Sequence, residues 1–169
     1  MSRIVSYNLL SEIELCNELE NSLQENVLHL LEDVYTFLIT NPFLETESTS
    51  SLELIHIYAI KLQNEIKYLF KKEVSILFPS IKNNRFCIKD LDCFNTGEIF
   101  NQISASHQSI IDQLTNLKNS IKSIIKTSSN NNMLLTLLKK VKRIEDAMLH
   151  LIYIEQTYLF TKLKNVVNG

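Results

Sequence analysis

Glu73, Glu155 and His107 are the residues whose types and positions call for chemistry. Each interrupts a helical apolar stripe. At about 100° per residue, with the stripe of one segment centred on Ile66, Glu73 falls about 20° from the centre, among Leu62, Leu69, Phe70 and Leu77. With another segment centred on Met148, Glu155 again falls about 20° from the centre. With a third centred on Ile110, His107 lies about 60° off, inside the stripe. Glutamate is almost never fully buried unless paired. Left unpaired it would hold its proton or cost several kcal/mol. Two carboxylates and an imidazole facing one interior need a common explanation. One is a metal ion held between helices, since carboxylate and imidazole suit iron, manganese and zinc. The other is a hydrogen-bonded polar network. His29 sits at a stripe's flank, about 100° from a centre at Leu30, and Asp33, four residues on, lies nearer the core face as a further donor.

These residues must be carried by four segments of similar length, about 8–40, 51–83, 97–126 and 132–166, in which apolar residues recur at a spacing of three to four. The third stripe is Ile99, Ile103, Ile110, Leu114, Leu117, Ile121 and Ile124. The fourth is Leu134, Leu137, Val141, Ile144, Met148, Ile152 and Leu159. Between the segments lie clusters rich in Ser, Thr, Asn and Asp: Asn41-Pro42 to Ser50, about Asn84 to Thr96, and Thr127 to Asn132. Ser51 and Thr96 are expected helix caps, with Glu53 and Glu98 in the first turns. The expected fold is all-α: one domain over 1–169, an antiparallel up-down-up-down four-helix bundle.

Composition narrows the function classes. The chain has 169 residues, with 2 Gly and 2 Pro, too few for turn-rich all-β or linker-rich architectures. A net charge of −2 gives no extended nucleic-acid footprint, so such a partner is not expected. Lys61, Lys67, Lys71 and Lys72, and Lys139, Lys140, Lys142 and Arg143, read as solvated faces. No run is long enough to span a membrane, no signal peptide is expected, and 3 cysteines in a chain of this size suggest reduced thiols and a cytoplasmic home. Cys87 and Cys93 flank Asp90 and Asp92 and read as ordinary thiols rather than a redox pair. Glu53-Leu54-Ile55-His56 is a single Glu-x-x-His, whereas a ferritin-like site needs two. No H-E-x-x-H, phosphate-binding glycine loop, G-x-S-x-G or C-x-x-C occurs, and no catalytic residue is assigned. His56 and His150 are expected at the surface or its boundary.

The chain also repeats itself. Leu69, Glu73, Leu77, Phe78, Lys82 and Asn83 recur as Leu151, Glu155, Leu159, Phe160, Lys164 and Asn165, at an offset of 82. His29 and His107 are related by an offset of 78. The pattern predicts two helical hairpins about a pseudo-two-fold axis, each offering one His from its first helix and one Glu from its second.

At these residues the sequence resembles the hemerythrin-like family, nearest to the di-iron iron–sulfur cluster repair proteins. In that family the second and fourth helices carry a His, a Glu four residues later, then Leu-Phe-Pro. Glu73 to Pro79 and Glu155 to Phe160 match that tail, and His29 and His107 fall where the first and third helices would each supply a His. The resemblance runs from about Asn26 to Asn165. It departs where the family's other two histidines would stand, here Leu69 and Leu151, and Thr161 follows the second Leu-Phe in place of Pro.

The resemblance implies a metal set of His29, Glu73, His107 and Glu155, holding a divalent ion, iron above all, as one ion or two. It also implies a role in iron handling, cluster repair, or the response to nitric oxide or oxygen. The alternative is a bundle of the same descent without metal, serving as an interaction or structural domain with a protein partner.

Overall fold

A computed structural model describes residues 6–41, 49–83, 96–126 and 131–163. Among the described residues the structure is all-α, with no strand. After a 3-10 turn at Tyr7–Leu9, the first rod runs through α1 (Glu12–Glu18), a π-helical turn (Leu19–Gln24) and α2 (Glu25–Thr40). The second is α3 (Thr49–Lys72), a π-helical turn (Glu73–Leu77) and α4 (Phe78–Lys82). The third is the unbroken α5 (Thr96–Ile125). The fourth is α6 (Asn131–Ile154) and a π-helical turn (Glu155–Leu159), with helix continuing over 160–163.

The ends follow local chemistry. Ser11 caps α1 through a reciprocal box: its hydroxyl accepts the Glu14 N–H at 3.3 Å, and Glu14 Oε2 accepts the Ser11 N–H at 2.8 Å. Ser51, expected as a cap, lies inside α3, because Thr49, Ser50 and Ser51 are all taken into the helix. Thr96 is itself the first residue of α5. Cys87, Asp90, Asp92 and Cys93 lie outside the described residues.

The four rods pack together, α3 on α5, α5 on α6, α6 on α2 and α2 on α3. The inward stripes make one core: Leu15, Leu19, Val27, Leu31 and Val34 from the first rod meet Leu62, Ile66 and Leu69, Ile110, Leu114 and Leu117, and Val141, Ile144 and Met148. Each fully buried aliphatic side chain contributes roughly 1.5–3 kcal/mol against the entropy of ordering the chain. Polar contacts fix the register at the seams. Lys82 Nζ meets Glu20 Oε2 at 3.0 Å between the first and second rods. Lys72 Nζ donates to Gln102 Oε1 at 3.0 Å, and Gln113 donates to Glu65, between the second and third. Lys118 pairs with Glu145 between the third and fourth, and Lys140 Nζ holds both Asp33 oxygens, at 2.6 and 2.7 Å, between the fourth and first. Phe100 and Phe160 stack at 4.4 Å between centroids, joining the third and fourth rods. No helix is long and apolar enough to cross a membrane among the described residues.

Candidate metal centre

Glu73 and Glu155 are both wholly buried, and His107 is 3% exposed. Their presence in the core follows from where each rod turns its apolar face. One turn away on either side stand Leu69 and Leu77, Ile103 and Ile110, and Leu151 and Leu159, all buried. The layer is therefore closed above and below by hydrocarbon, where charges interact strongly and water is scarce.

Both glutamates open a π-helical turn. The Phe78 N–H reaches back to the Glu73 carbonyl, and the Phe160 N–H to the Glu155 carbonyl. Such i→i+5 bonds accommodate an extra residue and re-aim side chains, and they recur at functional sites. In the second rod the next N–H is missing, because Pro79 follows Phe78, while Ser80 Oγ donates to the Ile76 carbonyl at 2.6 Å. The third π-helical turn, Leu19–Gln24, ends on a polar residue that is 3% exposed. The buried positions of the first rod run Leu15, Leu19, Gln24, Val27, Leu31. The step of five from Leu19 to Gln24 is the π-helical turn written in the burial pattern.

The four side chains converge. His107 Nε2 lies 3.1 Å from Glu155 Oε2 and 3.8 Å from Glu73 Oε1. Gln24 Nε2 donates to Glu73 Oε2 at 2.6 Å. One ligand atom from each of Glu73, His107 and Glu155 can be chosen so that all lie within 4.8 Å of one another. Donor atoms about 2.1 Å from one ion lie roughly 3–3.5 Å apart, so a single cation between them would draw the most widely spaced pair together. Glu73 Oε1, both Glu155 oxygens and both His107 nitrogens are buried and make no well-aligned hydrogen bond, so the ion-pair approaches of His107 Nε2 to the two carboxylates are all that answers them. Buried polar atoms without partners are rare in folded proteins. Two carboxylates and an imidazole are also the donor types that iron, manganese and zinc accept.

The electrostatics follow from burial. Desolvation, then the neighbouring Glu155, pushes Glu73 up to about 8, against the pull of His107 and Gln24. Burial alone would push His107 down, but Glu155 and then Glu73 outweigh it and hold the imidazole up at about 9. Near neutral pH the ion-free centre thus retains a proton on Glu73 and a second on His107.

Of the residues expected at a site, Glu73, His107 and Glu155 come together, and His29 does not. His29 is exposed. The core face of α2 is centred on Val27, Leu31 and Val34, one residue beyond the expected centre at Leu30, and that rotation turns His29 outward. Asp33 is half-buried and taken up by Lys140. His56 is half-buried, and His150 is exposed beside Tyr7 at 3.4 Å. Gln24 escaped the sequence reading because an amide is not a usual metal ligand. A signal was present: Gln24 stands 49 positions before Glu73, much as His107 stands 48 before Glu155.

Cys16, two turns before Gln24, is wholly buried, and desolvation pushes its thiol up to about 12. No family model, no curated protein and no solved structure matches the chain.

Proposed function

We propose that the chain is a metal-binding bundle of hemerythrin-like descent whose centre holds a divalent ion through Glu73, His107 and Glu155. The single observation that carries this reading is the convergence of unpartnered buried donor atoms from three helices within 4.8 Å. A bound cation would take up Glu73 Oε1, His107 Nε2 and the Glu155 carboxylate together, whereas the one buried amide donor, Gln24, satisfies only one of the four carboxylate oxygens. Three protein ligands would leave at least one position for an outside ligand, the pattern of a reactive rather than a purely structural site.

The antiparallel up-down-up-down topology and the two-hairpin pseudo-symmetry belong to the same proposal. The seams support it. Residue numbers rise along one rod as they fall along the next: Glu20 and Gln24 meet Lys82 and Glu73, Glu65 and Lys72 meet Gln113 and Gln102, and His107 and Lys118 meet Glu155 and Glu145. Iron as the natural ion, and a role in iron handling, cluster repair or the response to nitric oxide or oxygen, rest on the resemblance of Glu73 to Pro79 and Glu155 to Phe160 to that family's helices.

When bound, the ion would act as a Lewis acid and as an anchor for a small exogenous ligand. The chain's own contribution is to orient and to exclude water. Gln24 holds one oxygen of Glu73, the π-helical turns aim the carboxylates inward, and the leucine layers keep solvent from the donors.

A second reading is a metal-free polar network in a bundle that serves as an interaction or structural domain. One observation favours it: His107 Nδ1 has no partner, whereas a ligating histidine usually donates its other N–H to an outer acceptor. Anaerobic loading with ferrous iron, followed by metal analysis, separates the two. The first reading expects about one ion per chain and its loss in Glu73→Ala with Glu155→Ala. The second expects no retained iron, and Glu73→Leu with Glu155→Leu no less stable than wild type, because apolar replacement removes a buried polar cost.

A further inference from the structure

The two oxygens of Glu73 have different fates. Oε2 accepts the Gln24 amide N–H at 2.6 Å. Oε1 has no hydrogen-bond partner and faces His107 Nε2 at 3.8 Å. Glu155, by contrast, has both oxygens unpartnered by hydrogen bonds. Each half of the chain brings a glutamate from its second rod and a polar residue from its first, at separations of 49 and 48 positions. In one half that polar residue is the imidazole of His107. In the other it is the amide of Gln24, whose Nε2 donates and cannot ligate.

We propose that Gln24 is the positioning residue that limits the centre to a single ion, by holding Glu73 Oε2 and leaving Oε1 as its one donor. The inference rests on the metal-binding reading. An ion on the Gln24 side would find a carboxylate oxygen already hydrogen-bonded and no nitrogen donor. An ion on the His107 side finds Glu73 Oε1, His107 Nε2 and the Glu155 carboxylate. Leu69 and Leu151, one turn before each glutamate, add no donor of their own to either side.

The test uses the full chain, cobalt(II) as probe, its visible absorption and metal analysis. Wild type is expected to saturate at one cobalt per chain. Gln24→Leu frees Oε2, so its saturated spectrum should shift and weaken as Glu73 turns bidentate, with affinity falling roughly tenfold, as for loss of an outer partner. Gln24→His supplies a nitrogen on the empty side and should raise the stoichiometry to two, with magnetic coupling between two manganese(II) ions in the same variant. A wild type that takes two ions overturns the inference while leaving metal binding intact. So do Gln24→Leu with the wild-type spectrum and Gln24→His with a stoichiometry of one. A wild type that takes no ion overturns the metal-binding reading and this inference together. Far-UV circular dichroism confirms that each variant is folded, and the result of either variant stands by itself should the other fail to fold.

Discussion

Glu73 and Glu155 share one local structure: each opens a π-helical turn closed by the N–H of a phenylalanine five residues on, and each is wholly buried. The two carboxylates meet through His107, whose Nε2 is 3.1 Å from Glu155 and 3.8 Å from Glu73. A regular helix, α5, carries the imidazole between them.

Ion binding is expected to release protons. Near pH 7 Glu73, held up at about 8, and His107, held up at about 9, both retain theirs. A cation needs the deprotonated forms, so uptake should expel about two protons per ion and affinity should strengthen as pH rises toward 9. Calorimetric titration in buffers of different ionisation enthalpy counts the protons. A count near zero would contradict the assignment of both groups.

The ion-free protein should lose stability as pH rises. The Glu73 carboxyl goes from an ordinary 4.5 to about 8 in the fold, so above pH 4.5 the unfolded chain ionises first and the native state holds more protons. His107 goes from 6.5 to about 9, so its stabilising charge is fully present below 6.5 and lost as pH rises through 9. Both push in the same direction. Urea midpoints measured with chelator should fall between pH 5 and pH 9, and saturating metal should flatten or reverse the slope.

Much of this was legible in the sequence, and its failures have physical causes. The 3.6-residue stripes located the four rods to within a few residues, because burial of apolar faces sets helix position. Glu73, Glu155 and His107 stood out because a charged or polar residue on an apolar face is costly. His29 was misplaced because the α2 stripe is broad, with Leu28 and Leu30 half-buried beside Val27 and Leu31, so its centre could not be fixed to one residue. The π-helical turn at Leu19–Gln24 shifted the phase of everything before it, and a constant 100° step has no means of registering that. Gln24, at the end of that turn, stands seven residues before Leu31 and so about 20° from the true centre of the α2 stripe, but about 120° from a centre at Leu30.

Adding nitrogen donors at the buried leucines tests the orientation of the layer. Leu69 and Leu151 lie one turn before the two glutamates, 1% and 0% exposed. Leu69→His with Leu151→His should raise iron affinity, at a cost of about 1–3 kcal/mol in ion-free stability from disturbed packing. Equilibrium dialysis against ferrous iron reads the first effect and denaturant melts the second. Unchanged affinity would mean that these positions face away from the donors.

Cys16 should be inert in the native state. Its thiol is wholly buried and pushed up to about 12, so almost no thiolate exists at pH 8. Iodoacetamide labelling at pH 8, read by peptide mass spectrometry, should leave Cys16 unmodified until denaturant is added. Prompt labelling of Cys16 in the folded protein would place it outside the core. The same shift should make the protein less stable above about pH 9, where the unfolded thiol ionises and the native one does not.

The most direct measurement is anomalous scattering from crystals grown with manganese or ferrous iron, recorded at the metal edge. One peak is expected, between Glu73 Oε1, His107 Nε2 and the Glu155 carboxylate, with Gln24 still donating to Glu73 Oε2. Crystals that diffract well and show no anomalous density inside the bundle, or show it only away from these three residues, would contradict the account.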